Sequence, residues 1–301
     1  MKKHFWPTKP HQLNTKNDGL ITFIDYKSKR FRILYGVIIF LLLVAVLTAL
    51  LPIGILFLSS YKTTLELYAT PFQFFPQLFE FKKIFAVWNE VNFGKYFLNT
   101  LIVVIGAAFF AVIINGLLAY GVAIVKPRGY RIAFTLIMAS YMIPTVLAIV
   151  PLYQSIVDLR LINNYLPLWL MFGANAYYFI IFKNYFDAIP KSLIEAARVD
   201  GASELRIFFS IIIPMSKSII GLVAIFAVTA AWSDFLLPYL VLQNSDLQTI
   251  MVLLFLKSSD AQFAPDKLLM LSLISIIPQI VIFFVFQKQI TGSTLNSGLK
   301  E

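Results

Sequence analysis

The sequence has no cysteine, so neither a disulfide framework nor thiolate chemistry is open to it. Its two histidines, His4 and His11, both precede the first apolar run. No histidine is therefore left for a metal or catalytic site at membrane depth. A phosphate loop of the form G-x-x-x-x-G-K-[ST] is missing too. Gly292 and Gly298 are spaced glycines with no lysine-serine pair after them, so this chain is not expected to hydrolyse ATP. Charged residues make up only 13% of the 301, about half the share of a soluble domain. Hydrophobic residues make up 59%, more than a water-soluble globule can hide. Lipid must be part of the solvent.

A bilayer core about 30 Å thick takes roughly 20 apolar residues in helix. Six segments meet that length: 33–60, 96–125, 132–157, 161–182, 218–245 and 268–287. They are continuously apolar and do not alternate, which predicts helices over a barrel. The expected fold is all-α, a polytopic membrane protein with six transmembrane helices. The first span follows 32 residues and is too long for a signal-peptide core, so it is expected to remain in the mature chain. Pro52, Pro144 and Pro151 are expected to kink their helices.

Lysine and arginine set the orientation. Of the 25, eighteen lie in the two tails and in the loops after spans two and four, and seven lie in the other loops. Both termini and the loop 187–214 are therefore expected on the cytoplasmic side of a bacterial plasma membrane. This topology, with anionic lipid as a partner, accounts for the net charge of +10 and removes nucleic acid as a partner, because the charges form no single patch.

Loop 187–214 departs from its surroundings: it is charged, alanine-bearing, and ends in proline. Asp187 reads as an N-cap and Pro190 as a first-turn residue. A short helix is predicted over Lys191–Asp200, with Leu193, Ala196 and Ala197 as a thin apolar face. Gly201 is placed to end it in a left-handed conformation, and Ser203 to cap a second helix running to Pro214. From spacing alone this is either an interfacial linker resting on lipid or a handle for another protein.

The run Glu195-Ala196-Ala197, with Gly201 six residues after the glutamate and Ile211, Ile213 and Pro214 beyond, resembles the EAA loop of ATP-binding-cassette importer permeases. Ile213 stands where leucine is usual. Asp200-Gly201-Ala202 looks like the carbohydrate-importer branch. Phe97, Asn99 and Thr100 resemble the family's start of span two. Trp232, Asp234, Phe235 and Pro238 resemble its tryptophan-asparagine-acid-phenylalanine-x-x-proline stretch, with Ser233 in the asparagine's place. Gly292, Gly298 and Lys300 resemble its terminal pattern. The likeness runs from about residue 33 to the end and is nearest to the shorter permease subunit of maltose-type importers.

The resemblance implies a 1–32 cytoplasmic tail, a 33–290 importer transmembrane domain and a 291–301 cytoplasmic tail. It also implies a permease subunit that forms half a pathway for a sugar or oligosaccharide, with a permease for a non-sugar solute such as a glycerol phosphate as the alternative. The coupling residues would be Glu195, Ala196, Ala197, Arg198, Asp200, Gly201, Ala202 and Pro214, seated on a cytoplasmic ATPase dimer. That dimer would hold ATP and Mg, and this chain no cofactor, no metal and no catalytic residue. A second permease subunit and an extracellular solute-binding protein would complete the assembly. Glu195, Arg198, Asp200, Glu204 and Arg206 would supply rim ion pairs to the ATPase.

Asp234 is the only ionisable residue inside an expected span. It reads either as a polar group on the translocation path or as a satisfied group at a helix break near Pro238. Trp232 and Tyr239 read either as sugar-stacking path residues or as core and lipid-facing aromatics. The aromatic stretch Tyr61–Lys95 reads either as an interfacial belt or as a docking surface. A secondary transporter would need several intramembrane ion-coupling groups, and a membrane enzyme a cluster of acids or histidines at depth. The spans hold neither.

Overall fold

Uninterrupted apolar sequence gives uninterrupted helix only in part of this chain. The computed structural model describes residues 29–297, with side chains described from Arg32 to Gln287. The expectations for the tail up to residue 28, for the Gly292 side of the terminal pattern, and for Gly298 and Lys300 lie outside the described residues or side chains. Among the described residues every regular element is helical. The chain divides into two units, residues 1–56 and 57–301.

The first unit is dominated by α1 (Lys29–Ser60), uncharged from Ile33 onward and long enough to cross a bilayer. Pro52 lies within it and does not break it.

The second unit opens with the last residues of α1, followed by α2 (Thr64–Leu67) and α3 (Lys82–Glu90). Next comes α4 (Phe93–Tyr120), prolonged by a wide π turn over Gly121–Val125. Then follow α5 (Tyr130–Tyr141), α6 (Ile149–Asp158), α7 (Leu166–Gly173) and α8 (Ala176–Asp187). The loop region holds α9 (Lys191–Val199), α10 (Glu204–Ile207) and α11 (Ile213–Met215). The chain ends with α12 (Lys217–Ser233), α13 (Leu236–Val241), α14 (Ile250–Ser258) and α15 (Pro265–Ser297). The long helix α4 is the axis of the unit, with α7, α8 and α12 packed along it.

By length and composition α1, α4 and α15 can each cross a membrane alone. The other expected spans are broken. Residues 132–157 form α5 and α6, bent by 99° at Pro144. Pro144 has no N–H to continue the helix and pushes its predecessor out of helical geometry. Pro151, by contrast, sits in the first turn of α6, where a missing N–H costs nothing, and produces no kink. Residues 161–182 are two helices, α7 and α8, separated at Ala174-Asn175, and α8 runs on to Asp187. The span expected over 218–245 ends at Ser233, because Asp234 leaves the helix with ψ 127°.

Candidate functional site

The corner after α9 is built by backbone hydrogen bonds. Gly201 adopts φ +78°. Its N–H donates to Arg198 C=O at 3.0 Å, and Ala202 N–H donates to Ala197 C=O at 3.0 Å. These two bonds are the Schellman pair that closes a helix whose next residue is left-handed. Ser203 then caps α10, its hydroxyl accepting from the Arg206 N–H at 3.4 Å. The helix, the sharp turn and the second helix expected from the sequence are all present.

Two local expectations change. Asp187 is the last residue of α8 and pairs with Lys183 at 2.6 Å, and it is Pro190 that precedes α9. The apolar face also divides. Ile194 and Ala197 turn inward onto a core of Phe179, Phe182, Phe186, Ile207 and Phe208. Leu193, Ala196 and Val199 remain exposed, Val199 to 87%. Leu205 and Phe209 are exposed beyond the corner. The anchoring side of α9 is thus buried, and a small apolar side is left exposed.

Arg198 and Glu204 are not free rim charges. Arg198 Nε donates to Glu204 Oε1 at 2.8 Å, across the corner. The other carboxylate oxygen accepts from the Tyr120 hydroxyl at 2.6 Å, so α4 is tied to α10. Glu195 and Arg198 line a cleft of about 200 Å³ beside α9, with Lys126, Asp187 and Lys191. Pro214 follows a π turn over Phe208–Ile212, in which Ile213 N–H reaches Phe208 C=O. The widened turn accommodates a proline that lacks an N–H and whose ring crowds the preceding turn. An 85° bend follows before α12, where Tyr185 donates to Met215 C=O at 2.7 Å.

Three helix breaks meet at one groove of about 290 Å³. It is lined by Thr145 and Val146 after the Pro144 bend, by Phe172 and Asn175 at the α7–α8 break, and by Asp234 and Leu237 at the α12–α13 break. The Asp234 carboxylate interacts with the Leu237 and Leu236 N–H groups at the start of α13, whose N-cap position is Phe235. Tyr239 and Trp232 do not line this groove. Tyr239 packs edge-on against Phe255, with ring centres 5.1 Å apart. Trp232 is buried in the core and donates from its indole to Ser275 C=O at 3.3 Å.

Asn115 was not singled out by sequence reasoning, yet it holds the α7–α8 break together. Its amide donates to Phe172 C=O at 2.9 Å, and its oxygen accepts from Asn175 N–H at 3.2 Å. Each unsatisfied backbone group in lipid costs several kcal/mol. The one available signal was a polar amide in the middle of an apolar run.

On the opposite side, Asn99 donates to Asp246 C=O at 2.8 Å and to Gln248 C=O at 3.0 Å. The Thr100 hydroxyl accepts from Ile250 N–H at 2.9 Å. These two residues pin the loop before α14 onto the start of α4.

Residues 113–294 match the model of a family described as "binding-protein-dependent transport system inner membrane component". Relatives include the diacetylchitobiose uptake system permease protein NgcG of Streptomyces coelicolor. It is 31% identical over 81% of this chain and 82% of its own length. The arabinooligosaccharides transport system permease protein AraQ of Bacillus subtilis is 29% identical over 83% and 90%. The sn-glycerol-3-phosphate transport system permease protein UgpE of Escherichia coli is 25% identical over 85% and 94%. In fold the chain matches one from the crystal structure of a bacterial ABC transporter involved in the import of the acidic polysaccharide alginate. The TM-score is 0.76 and the identity 24%, covering 87% of this chain and 98% of that one.

Proposed function

The chain belongs to the family of binding-protein-dependent transport system inner membrane components and is a permease subunit of such an importer; from that premise we propose that it couples a separate cytoplasmic ATPase to the import of a sugar or oligosaccharide. The observation that carries the coupling role is the Gly201 corner. It is a closed, rigid turn whose one side is locked into the core while Leu193, Ala196 and Val199 stand open. Docking of that open face on an ATPase dimer, which binds ATP and Mg, supplies the energy this chain lacks the residues to obtain. Glu195, Ala196, Arg198, Asp200, Gly201 and Ala202 form the handle, with Ala197 anchoring it from the inside and Pro214 ending it. Small side chains allow close approach, and affinity comes from shape and apolar contact, since exposed ion pairs contribute about 0–1 kcal/mol each.

A second permease subunit completes the pathway, and an extracellular solute-binding protein delivers the cargo. The termini and the corner face the cytoplasm, in line with the lysine and arginine distribution. The path runs past the groove where three broken helices meet. Discontinuous helices expose backbone polar groups at membrane depth only where a cavity or protein satisfies them. Asp234 is the charged group of that groove. Trp232 acts through the core and Tyr239 from outside the groove. The sugar reading draws on the relatives whose names specify oligosaccharides.

Cysteine introduced at Leu193 or Ala196, in membranes carrying the assembled importer, should crosslink to the nucleotide-binding subunit and to no outer protein. Crosslinking only to an extracellular component, or none to an ATPase, would overturn the coupling role. Uptake of labelled oligosaccharides by the reconstituted complex, set against glycerol phosphate, tests the cargo. The purified chain alone should move neither.

A further inference from the structure

The segment between α1 and α4 is built inside out. Several of its charged groups are turned inward and satisfied, while Glu80 and Lys82 stay exposed. Lys62 is 1% exposed, donates to Gln73 C=O, and lies 4.6 Å from the Phe72 ring centre. Lys83 donates to Lys62 C=O at 2.6 Å and pairs with Asp266 at 2.9 Å. The Glu66 carboxylate accepts from Thr63 N–H at 2.7 Å and from Gln77 N–H at 2.9 Å. Tyr61, Val87 and Val91 join the core, but many of the large apolar residues point outward. Phe75 is 68% exposed and Phe85 70%, and Leu65, Tyr68, Phe72, Phe74, Leu78 and Phe81 are exposed as well.

An inverted segment of this kind fits an apolar surrounding. Its position says which one. It follows directly on the last residues of α1 and runs into α4. It is also tied to the first turn of α15 through Thr64–Asp266 at 2.5 Å and through Glu90–Lys267 at 2.7 Å. It therefore borders the ends of membrane-crossing helices, where the hydrocarbon meets the headgroups. Its composition agrees. Phenylalanine and leucine are the apolar residues of membrane-interface segments, and residues 61–95 hold no arginine, a residue that protein interfaces favour.

We propose that residues 65–85 form a lipid anchor, with Phe72, Phe74, Phe75, Phe81 and Phe85 inserted into the outer-leaflet boundary of the bilayer. The anchor fixes the start of α4, and with it the loop that Asn99 and Thr100 hold, at a set depth. The choice of the outer leaflet rests on the orientation proposed above, whereas insertion itself does not depend on how the Gly201 corner docks.

The test uses the absence of native cysteine in this chain. Phe75→Cys, Phe81→Cys and Phe85→Cys are each spin-labelled in the assembled importer, in nanodiscs of phosphatidylethanolamine and phosphatidylglycerol. The label signal of the complex without the introduced cysteine is subtracted. Collision with oxygen and with a neutral water-soluble nickel chelate is then read. Lipid insertion gives strong oxygen relaxation and loss of the nickel effect at all three sites. Strong nickel collision would place the segment in water and overturn the anchor. Weak collision with both would place it under a protein, such as a partner subunit or the solute-binding protein, and overturn it equally. Phe75→Trp gives an unlabelled check: its fluorescence should be quenched by lipids brominated near the headgroup, and unchanged emission would count against insertion.

Discussion

The Tyr120 hydroxyl sits 2.6 Å from Glu204 Oε2, joining the end of α4 to the first turn beyond the Gly201 corner. With Arg198 on the other carboxylate oxygen, one side chain links three elements. A hydrogen bond to a charged group contributes about 1.5–3 kcal/mol, and partial exposure here reduces that to about 1 kcal/mol. Tyr120→Phe and Glu204→Ala should each lower the thermal midpoint of the assembled importer modestly. The double variant should lose less than the sum of the two. Fully additive losses would mean that the contact carries no coupling.

Asn115 should be far less replaceable than its apolar neighbours. Asn115→Leu leaves Phe172 C=O and Asn175 N–H without partners, at about 1–3 kcal/mol each. Asn115→Asp keeps the acceptor for Asn175 but loses the donor to Phe172, and should fall between Leu and wild type in thermal stability. Equal stability of all three proteins would show that other groups satisfy the break.

Much of the corner was legible in the sequence, because its physics is local. A glycine that must turn left-handed, a serine that caps, and a proline that stops a helix each act within a few residues. The groove was not legible in this way. The break at Ala174-Asn175 has no proline; Gly173 and the N-cap Asn175 were local hints, but the tie to Asn115, 60 residues earlier in the chain, was not readable. Periodicity grouped Leu193 with Ala197, yet it cannot tell which side of a short helix the core covers. That depends on Phe179, Phe182 and Phe208, contributed by other elements. The same blindness left Trp232 open as a path residue, although its indole lies in the core against Ser275.

Two glycines should respond to substitution for different reasons. A Cβ at Gly106 would lie 2.2 Å from the Trp169 indole, so Gly106→Ala must displace that ring from its place between α7 and α4. The cost should be about 1–3 kcal/mol, seen as reduced thermal stability and yield. A Cβ at Gly201 meets nothing within 4 Å, and only the φ of +78° resists it. Gly201→Ala should cost about 1 kcal/mol, and Gly201→Val more. Both should insert normally, with the loss appearing in ATP-driven transport. Normal transport by Gly201→Val would argue against the corner as the handle.

Acid should loosen the segment between α1 and α4 through Glu66. The backbone N–H of Thr63, then that of Gln77, hold its carboxyl below the usual carboxylate range. A carboxyl whose pKa is lowered by folding stabilises the fold above its unfolded value. That stabilisation fades as pH falls below about 4.3 and is gone once pH passes the folded value. Glu66→Gln should therefore flatten the acid side of the stability profile, read by proteolysis of residues 61–95 between pH 6 and pH 3. An unchanged profile would assign the acid sensitivity to another carboxylate.

Asp234 separates charge from hydrogen bonding. Its carboxylate interacts with the Leu236 and Leu237 N–H groups at the start of α13 and also borders the groove of three broken helices. Asparagine keeps an oxygen that accepts those bonds and removes the charge. Alanine removes both, and losing such a hydrogen bond costs about 1 kcal/mol. If the carboxylate serves only the helix break, Asp234→Asn should transport like wild type and Asp234→Ala should be less stable and less active. If the charge lines the path, Asp234→Asn should keep its stability and ATPase association while uptake changes, most clearly in apparent affinity for cargo. The groove reading expects the second pattern: a cavity among Thr145, Asn175 and Asp234 offers a cargo hydroxyl few other polar partners. Wild-type uptake by Asp234→Asn, beside a destabilised Asp234→Ala, would return this residue to a purely structural role.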